Sequence, residues 1–192
     1  MISHKYKFIF IRINKCGGIS VRDTLKRLVG KGLVIKGHTC IREFKRQHIK
    51  KYFKFTFVRN PWHRFVSLYF YRMKLKKMKG KRTIPFKEWA NRIYNADPLY
   101  NPSPKSPMMR NQIDWLTDKD GNVLMDFIGR VENFQKDFDY VCDKIGIPCE
   151  KLPHLNQTNH KHYAEYYDEA TKQIVAERYA RDIDYFGYKF KK

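Results

Sequence analysis

A chain of 192 residues with 42% hydrophobic and 16% aromatic side chains holds enough apolar mass for one domain with its own core, which excludes disorder and a scaffold dependent on disulfides or metal. Forty Lys and Arg against 19 acidic residues give a formal charge of +21, a field that draws nucleotides, polyanionic glycans or nucleic acid unless it serves solubility alone. The four cysteines (Cys16, Cys40, Cys142, Cys149) follow no metal-ligand spacing, no signal-peptide pattern or bilayer-length apolar run is present, and the chain reads as soluble and cytoplasmic with reduced thiols.

The first informative stretch is residues 6–25. Phe8, Ile9, Phe10, Ile11 and Ile13 are too continuous for a half-solvated strand and predict one covered on both faces, as in a parallel sheet. Lys15-Cys16-Gly17-Gly18 follows, then a helical pattern carrying Ser20, Val21 and Leu25. A strand that gives way to glycines and then a helix offers backbone N–H groups and a positive dipole end to the turn, so the turn suits an anion, and Lys15 adds a full charge. Side chains at 17 or 18 would hold the backbone away from a phosphate-sized group. The plain alternative is a tight connection.

The first helix is expected to end near Gly30-Lys31-Gly32, with a short strand over 33–36 running into Gly37-His38 and a helix over 41–51. Residues 53–58, FKFTFV, predict a second strand. At its end, Asn60 suits a helix N-cap and Pro61 the first helical position. Phe65, Val66, Tyr69, Phe70 and Met73 then form one buried stripe that leaves out Arg59, Arg64 and Ser67. Arg59, at the carboxyl end of a strand, and Ser67, on the helix after it, can both face the crevice above the sheet and make a second anion pocket beside the first. A surface arginine and a solvated serine are the plain reading of either residue alone.

Residues 74–82 read as a basic surface loop, 84–93 as a helix with Phe86, Trp89, Ala90 and Ile93 on one face, and the proline-rich 97–107 as an irregular segment suited to an acceptor groove. A turn at 117–122, a strand at 127–129 and a helix over 134–145 ending at Gly146 come next. Residues 152–162 are a polar loop. Asp168 caps a last long helix running to about 181, and 185–190 close the fold. With no repeat and no domain boundary, the expected class is α/β, a single P-loop-like domain over 1–192 with a central, mostly parallel sheet flanked by helices.

The two junctions together resemble the sulfotransferases that use 3′-phosphoadenosine 5′-phosphosulfate (PAPS), most nearly the carbohydrate branch with its heparan and chondroitin sulfate O-sulfotransferases. Lys15-Cys16-Gly17-Gly18-Ile19-Ser20 is similar to that family's 5′-phosphosulfate loop. Val58-Arg59-Asn60-Pro61 with Arg64, Ser67 and Tyr69 is similar to its 3′-phosphate motif, and Gly37-His38 sits where carbohydrate members carry a catalytic histidine. The run from Phe127 to Phe134, the loop around Leu152-Pro153-His154-Leu155-Asn156 and the closing Asp184-Tyr185-Phe186-Gly187-Tyr188 also read like the family, so the likeness covers most of the chain.

The resemblance implies PAPS as donor and 3′-phosphoadenosine 5′-phosphate (PAP) as product, with no metal. It assigns Lys15 and His38 to catalysis, and Lys15, Cys16, Gly17, Gly18, Ile19, Ser20, Arg59 and Ser67 to the donor. The acceptor would be a carbohydrate or another hydroxyl compound, an acidic sugar polymer suiting the charge; nucleic acid is not an expected partner. Cys16 and Ile19 stand where the family usually places hydroxyl residues, which leaves backbone N–H groups, Lys15 and Ser20 as donors to the phosphosulfate. Taken alone, Lys15 reads as a surface lysine and His38 as a capping or core histidine.

The other histidines carry less. His4, His48 and His63 read as surface residues, and His154, His160 and His162 with Cys149 fit no standard metal spacing. Asn156 and Thr158 are candidate nucleotide contacts. Two competing functions remain from the residues. A nucleotide-dependent kinase lacks here the Gly-x-x-x-x-Gly-Lys-Ser/Thr spacing and an acidic pair for magnesium. A non-catalytic basic module for RNA or glycans would explain the charge, yet the aromatics lie on core-type stripes.

Overall fold

A computed structural model of the protein describes residues 1–95, 109–153 and 161–191. In chain order its elements are β1 (Ile2–Ser3), β2 (Phe8–Ile11), α1 (Gly18–Val29), β3 (Leu33–Val34), α2 (Arg46–Lys51), β4 (Phe53–Val58), α3 (Pro61–Met78), α4 (Phe86–Tyr94), β5 (Phe127–Arg130), α5 (Phe134–Ile145), α6 (Glu169–Arg178) and α7 (Ala180–Phe186). They fall into two compact units, one of residues 1–59 and 112–156, the other of residues 60–111 and 157–192.

The first unit is built on a five-stranded sheet in the order β3-β1-β2-β4-β5. β2, β4 and β5 run parallel, while β1 pairs antiparallel with both β2 and β3. The α/β class with a central sheet and flanking helices is therefore observed, and the sheet is mixed because of the β1–β3 edge. Phe10 stacks on Phe55 at 4.9 Å and Phe8 meets it tilted at 5.7 Å, and with Phe57 they form one face. Val21, Leu25 and Val29 of α1 and Phe138, Val141 and Ile145 of α5 cover that face. Ile9 and Ile11, pointing the other way, are equally buried, which is why β2 has no polar alternation. Each such side chain contributes about 1.5–3 kcal/mol by leaving water.

Two local expectations change here. The strand after Gly32 spans only Leu33–Val34, and the helix expected over 41–51 is a short tight turn at Ile41–Glu43 followed by α2. β1 had no sequence signal at all. α5 occupies the predicted residues and ends at Gly146, which is left-handed at φ 70° and donates to Cys142 and Asp143 carbonyls.

In the second unit Asn60 caps α3, its Oδ1 accepting from the N–H groups of Trp62 at 3.1 Å and His63 at 3.4 Å, with Pro61 in the first turn. α3 continues to Met78, so the first part of the 74–82 run is helix and not loop. The reason is local: Lys, Leu and Met are good helix formers, and the first breaker is Gly80. Burial also wraps further round α3 than the stripe implied. Arg64 and Ser67 are only 2% and 7% exposed, and Arg64 donates through Nη2 to the Arg110 carbonyl while lying over the Tyr179 ring.

Phe65, Trp89, Ile93, Val175 and Tyr179 form the core of this unit, with Phe65 and Trp89 4.5 Å apart. Asp168 caps α6 as expected, exchanging bonds with Thr171 at 2.8 and 3.0 Å. The last helix, however, breaks at Tyr179 into α6 and α7. The proline-rich 97–107, and with it the expected acceptor groove, lies outside the described residues, as do His154, Asn156, Thr158 and His160. Among the described residues no helix is long and apolar enough to cross a membrane.

Candidate active site

β2 and β4 are parallel neighbours with Ile11 opposite Thr56, and the Thr56 hydroxyl donates to the Ile11 carbonyl at 2.7 Å. The chain therefore leaves both strands at the same end of the sheet. The turn after β2 curls because Lys15 (φ 67°) and Gly17 (φ 70°) are both left-handed. Such alternation turns successive N–H groups toward one side, as in an anion-binding nest. α1 then starts at Gly18, and no side chain caps its first turn. No acidic residue occupies that first turn to quench its positive end.

A left-handed lysine is unusual and marks local strain. Gly17 is needed for two reasons: its φ, and the ring of Phe134, whose Cζ would lie 2.3 Å from an added Cβ. Gly17→Ala is expected to lower stability by about 2–4 kcal/mol, combining left-handed strain with overpacking against Phe134. Chemical denaturation followed by circular dichroism measures it; an unchanged midpoint would contradict this packing. At Gly18 an added Cβ would lie 2.4 Å from Arg12 Cγ, so Arg12 runs across the start of α1.

The two junctions meet. Arg59 donates through Nη1 to the Lys15 carbonyl at 3.3 Å. The Gln112 side chain, with no solvent exposure, holds the Arg59 backbone: its Oε1 accepts from the Arg59 N–H and its Nε2 donates to the Arg59 carbonyl, both at 2.9 Å. The Cys16 thiol donates to the same Oε1 at 3.1 Å. Burial, and after it the Arg59 charge, lowers the Lys15 pKa to about 8, with Cys16 working the other way. An anion bound beside these two cations would raise the Lys15 pKa back toward that of an ordinary ammonium.

His38 sits at the edge of the same turn. Its Nδ1 is 2.8 Å from the Arg12 carbonyl, which can only accept, so Nδ1 carries the proton and Nε2 is left with a lone pair. The ring meets Trp115 edge-on at 6.1 Å. Burial lowers the His38 pKa below its usual 6.5, the Arg12 carbonyl bond opposing and the Arg12 charge reinforcing that shift. The imidazole is thus neutral at neutral pH and fit to accept a proton.

Of the residues singled out in the sequence, Lys15, Cys16, Gly17, Gly18, Ile19, Ser20, His38 and Arg59 all lie in the first unit. Ser20 is buried, Ile19 is exposed, and the Cys16 thiol is turned inward to Gln112. Ser67 lies on α3 in the second unit. Three participants were not singled out, Arg12, Gln112 and Trp115, and Phe134 was named only as the end of the run that resembles the family. Only Arg12 had a signal, a charge at the end of an otherwise apolar strand. Among the described residues no group of three or more His, Cys, Asp and Glu could hold a metal ion.

The sequence profile of the sulfotransferase family matches residues 1–189, and so runs through both units. A protein of Archaeoglobus fulgidus, described as an uncharacterized protein, is 32% identical over 112 residues, which is 58% of this chain and 82% of that one. No solved structure matches the chain.

Proposed function

Because the chain belongs to the sulfotransferase family, we propose that it transfers a sulfuryl group from PAPS to a hydroxyl, that of a carbohydrate. The observation that carries this reading is the bond from the Arg59 guanidinium to the Lys15 carbonyl, which sets two anion-suited junctions side by side. The backbone of residues 16–20 with Lys15 receives the 5′-phosphosulfate. Arg59, with a charge-assisted fork, and Ser67 receive the 3′-phosphate. This reading takes the whole chain as a single sulfotransferase domain.

The donor supplies an activated sulfur whose bridging oxygen leaves with PAP. His38 Nε2 takes the proton of the acceptor hydroxyl as the new S–O bond forms and the bridging S–O bond breaks, and Lys15 meets the charge growing on the leaving oxygen. By analogy with phosphoryl transfer, positioning and charge stabilisation do most of the work. No step assigned to these side chains calls for a metal.

Thermal unfolding with added nucleotides tests the donor assignment. PAP at about a hundred times its dissociation constant should stabilise the protein by about 2.7 kcal/mol, and ATP with magnesium should do little. A shift with ATP and magnesium but none with PAP would favour phosphoryl transfer. Salt-sensitive binding of polyanions with neither shift would leave a binding module.

A further inference from the structure

We infer that Gln112 is a positioning residue that fixes Arg59 against the turn at residues 15–18, and so sets the preference for a nucleotide carrying a 3′-phosphate. The inference rests on the donor site proposed above and adds a residue that touches no ligand. β4 ends at Val58, so Arg59 is the first residue beyond the sheet's own hydrogen bonds. Gln112 supplies the missing pair. Its carboxamide offers one acceptor and one donor to the N–H and C=O of Arg59, at 2.9 Å each, in the manner of a strand neighbour.

The orientation of the amide follows from its partners. An N–H needs the oxygen and a carbonyl needs the nitrogen, so a flipped amide would lose both bonds. The same oxygen takes a second bond, the side chain's third, from the Cys16 thiol at 3.1 Å, which reaches into the other junction. One buried side chain thereby touches both turns, and the guanidinium of Arg59 closes the circuit on the Lys15 carbonyl. The inward thiol also gives Cys16 a role that a residue facing the phosphosulfate would not have.

The consequence is specific. If the amide is lost, Arg59 is free to shift relative to the glycines, and the distance between the two phosphate grips is no longer set. Binding of a nucleotide gripped at both ends should suffer, while one gripped only at the 5′ end should be nearly indifferent.

The test is calorimetric titration of wild type and Gln112→Met with PAP and with adenosine 5′-phosphate, which lacks the 3′-phosphate. Methionine fills the volume and makes none of the three bonds. The wild type is expected to prefer PAP strongly, and the variant to lose about tenfold of that preference through weaker PAP binding. General destabilisation lowers the folded fraction for both nucleotides alike and leaves their ratio unchanged. A folded Gln112→Met with the wild-type ratio overturns the inference.

Should Gln112→Met fail to fold, Cys16→Ala and Cys16→Ser carry the test. Alanine removes one bond to Oε1 and should cost about threefold in the ratio, and serine, which keeps a donor, should return most of it. An alanine variant with the wild-type ratio overturns the inference by this route. A wild type that binds neither nucleotide overturns the donor site itself, an outcome distinct from the loss of the Gln112 role alone.

Discussion

His38→Ala should bind PAP with wild-type affinity and turn over about 10²–10⁴-fold more slowly, the usual worth of a positioned base. The ring is held by its Nδ1–H on the Arg12 carbonyl and by the edge of Trp115, so Nε2 has a fixed direction. Neither contact involves the backbone that would bind the donor, which is why affinity and turnover should separate. The pH profile gives a second check. Since the His38 pKa lies below 6.5, the acid limb of the wild-type profile should fall below that value and vanish in the variant. Normal turnover by the variant in a radiolabelled sulfate transfer assay, run over a panel of sugars, would remove His38 from the mechanism.

Lys15→Met should cost about 10²–10³-fold in turnover, roughly the loss of one donor aimed at the transition-state charge, and should weaken PAP as well. The same substitution should not destabilise the protein. With a pKa of about 8 in the fold against 10.5 in the unfolded chain, Lys15 is a group whose charged form the fold penalises. That penalty is complete below about pH 8 and disappears as pH rises toward 10.5, because there the folded ammonium is already neutral. Lys15→Met should therefore be more stable than wild type at pH 7, by about 1 kcal/mol once solvent around a half-buried ammonium is allowed for, and the gap should close at alkaline pH. Wild-type affinity for PAP should weaken over the same window. A variant that loses stability at pH 7 would show that Lys15 serves the fold and not the site.

How far the sequence foretold this molecule depended on whether a feature was local. β2 could be read because four consecutive apolar residues exclude a half-solvated strand, and α3 because Asn60 and Pro61 announce a helix start. α5 was legible at both ends for similar reasons. β1 was not, since Ile2–Ser3 is two residues long and exists only by pairing with β2 and β3. The break at Tyr179 was hidden too: no glycine or proline marks it, and the ring's burial beside Phe65 and Arg64 is decided by tertiary packing. Within the site, Lys15 and the glycines follow from a strand-turn-helix pattern and His38 from the resemblance. Gln112 follows from nothing in its neighbourhood, because its meaning lies in the backbone of a residue 53 positions away.

That bond between distant positions has a bearing on how such a protein can change. The chain departs from the first unit at Arg59 and re-enters it at Gln112, and the two residues are tied together at 2.9 Å. Everything between them is topologically an insertion whose ends are already closed. Lengthening, shortening or exchanging that excursion costs little loop entropy, since the penalty grows only slowly with length. Changes of length within residues 60–111 can therefore leave the strands and the glycine turn unaltered, provided the clasp at its base, Ser67 and the core that α3 and α4 share with α6 are kept.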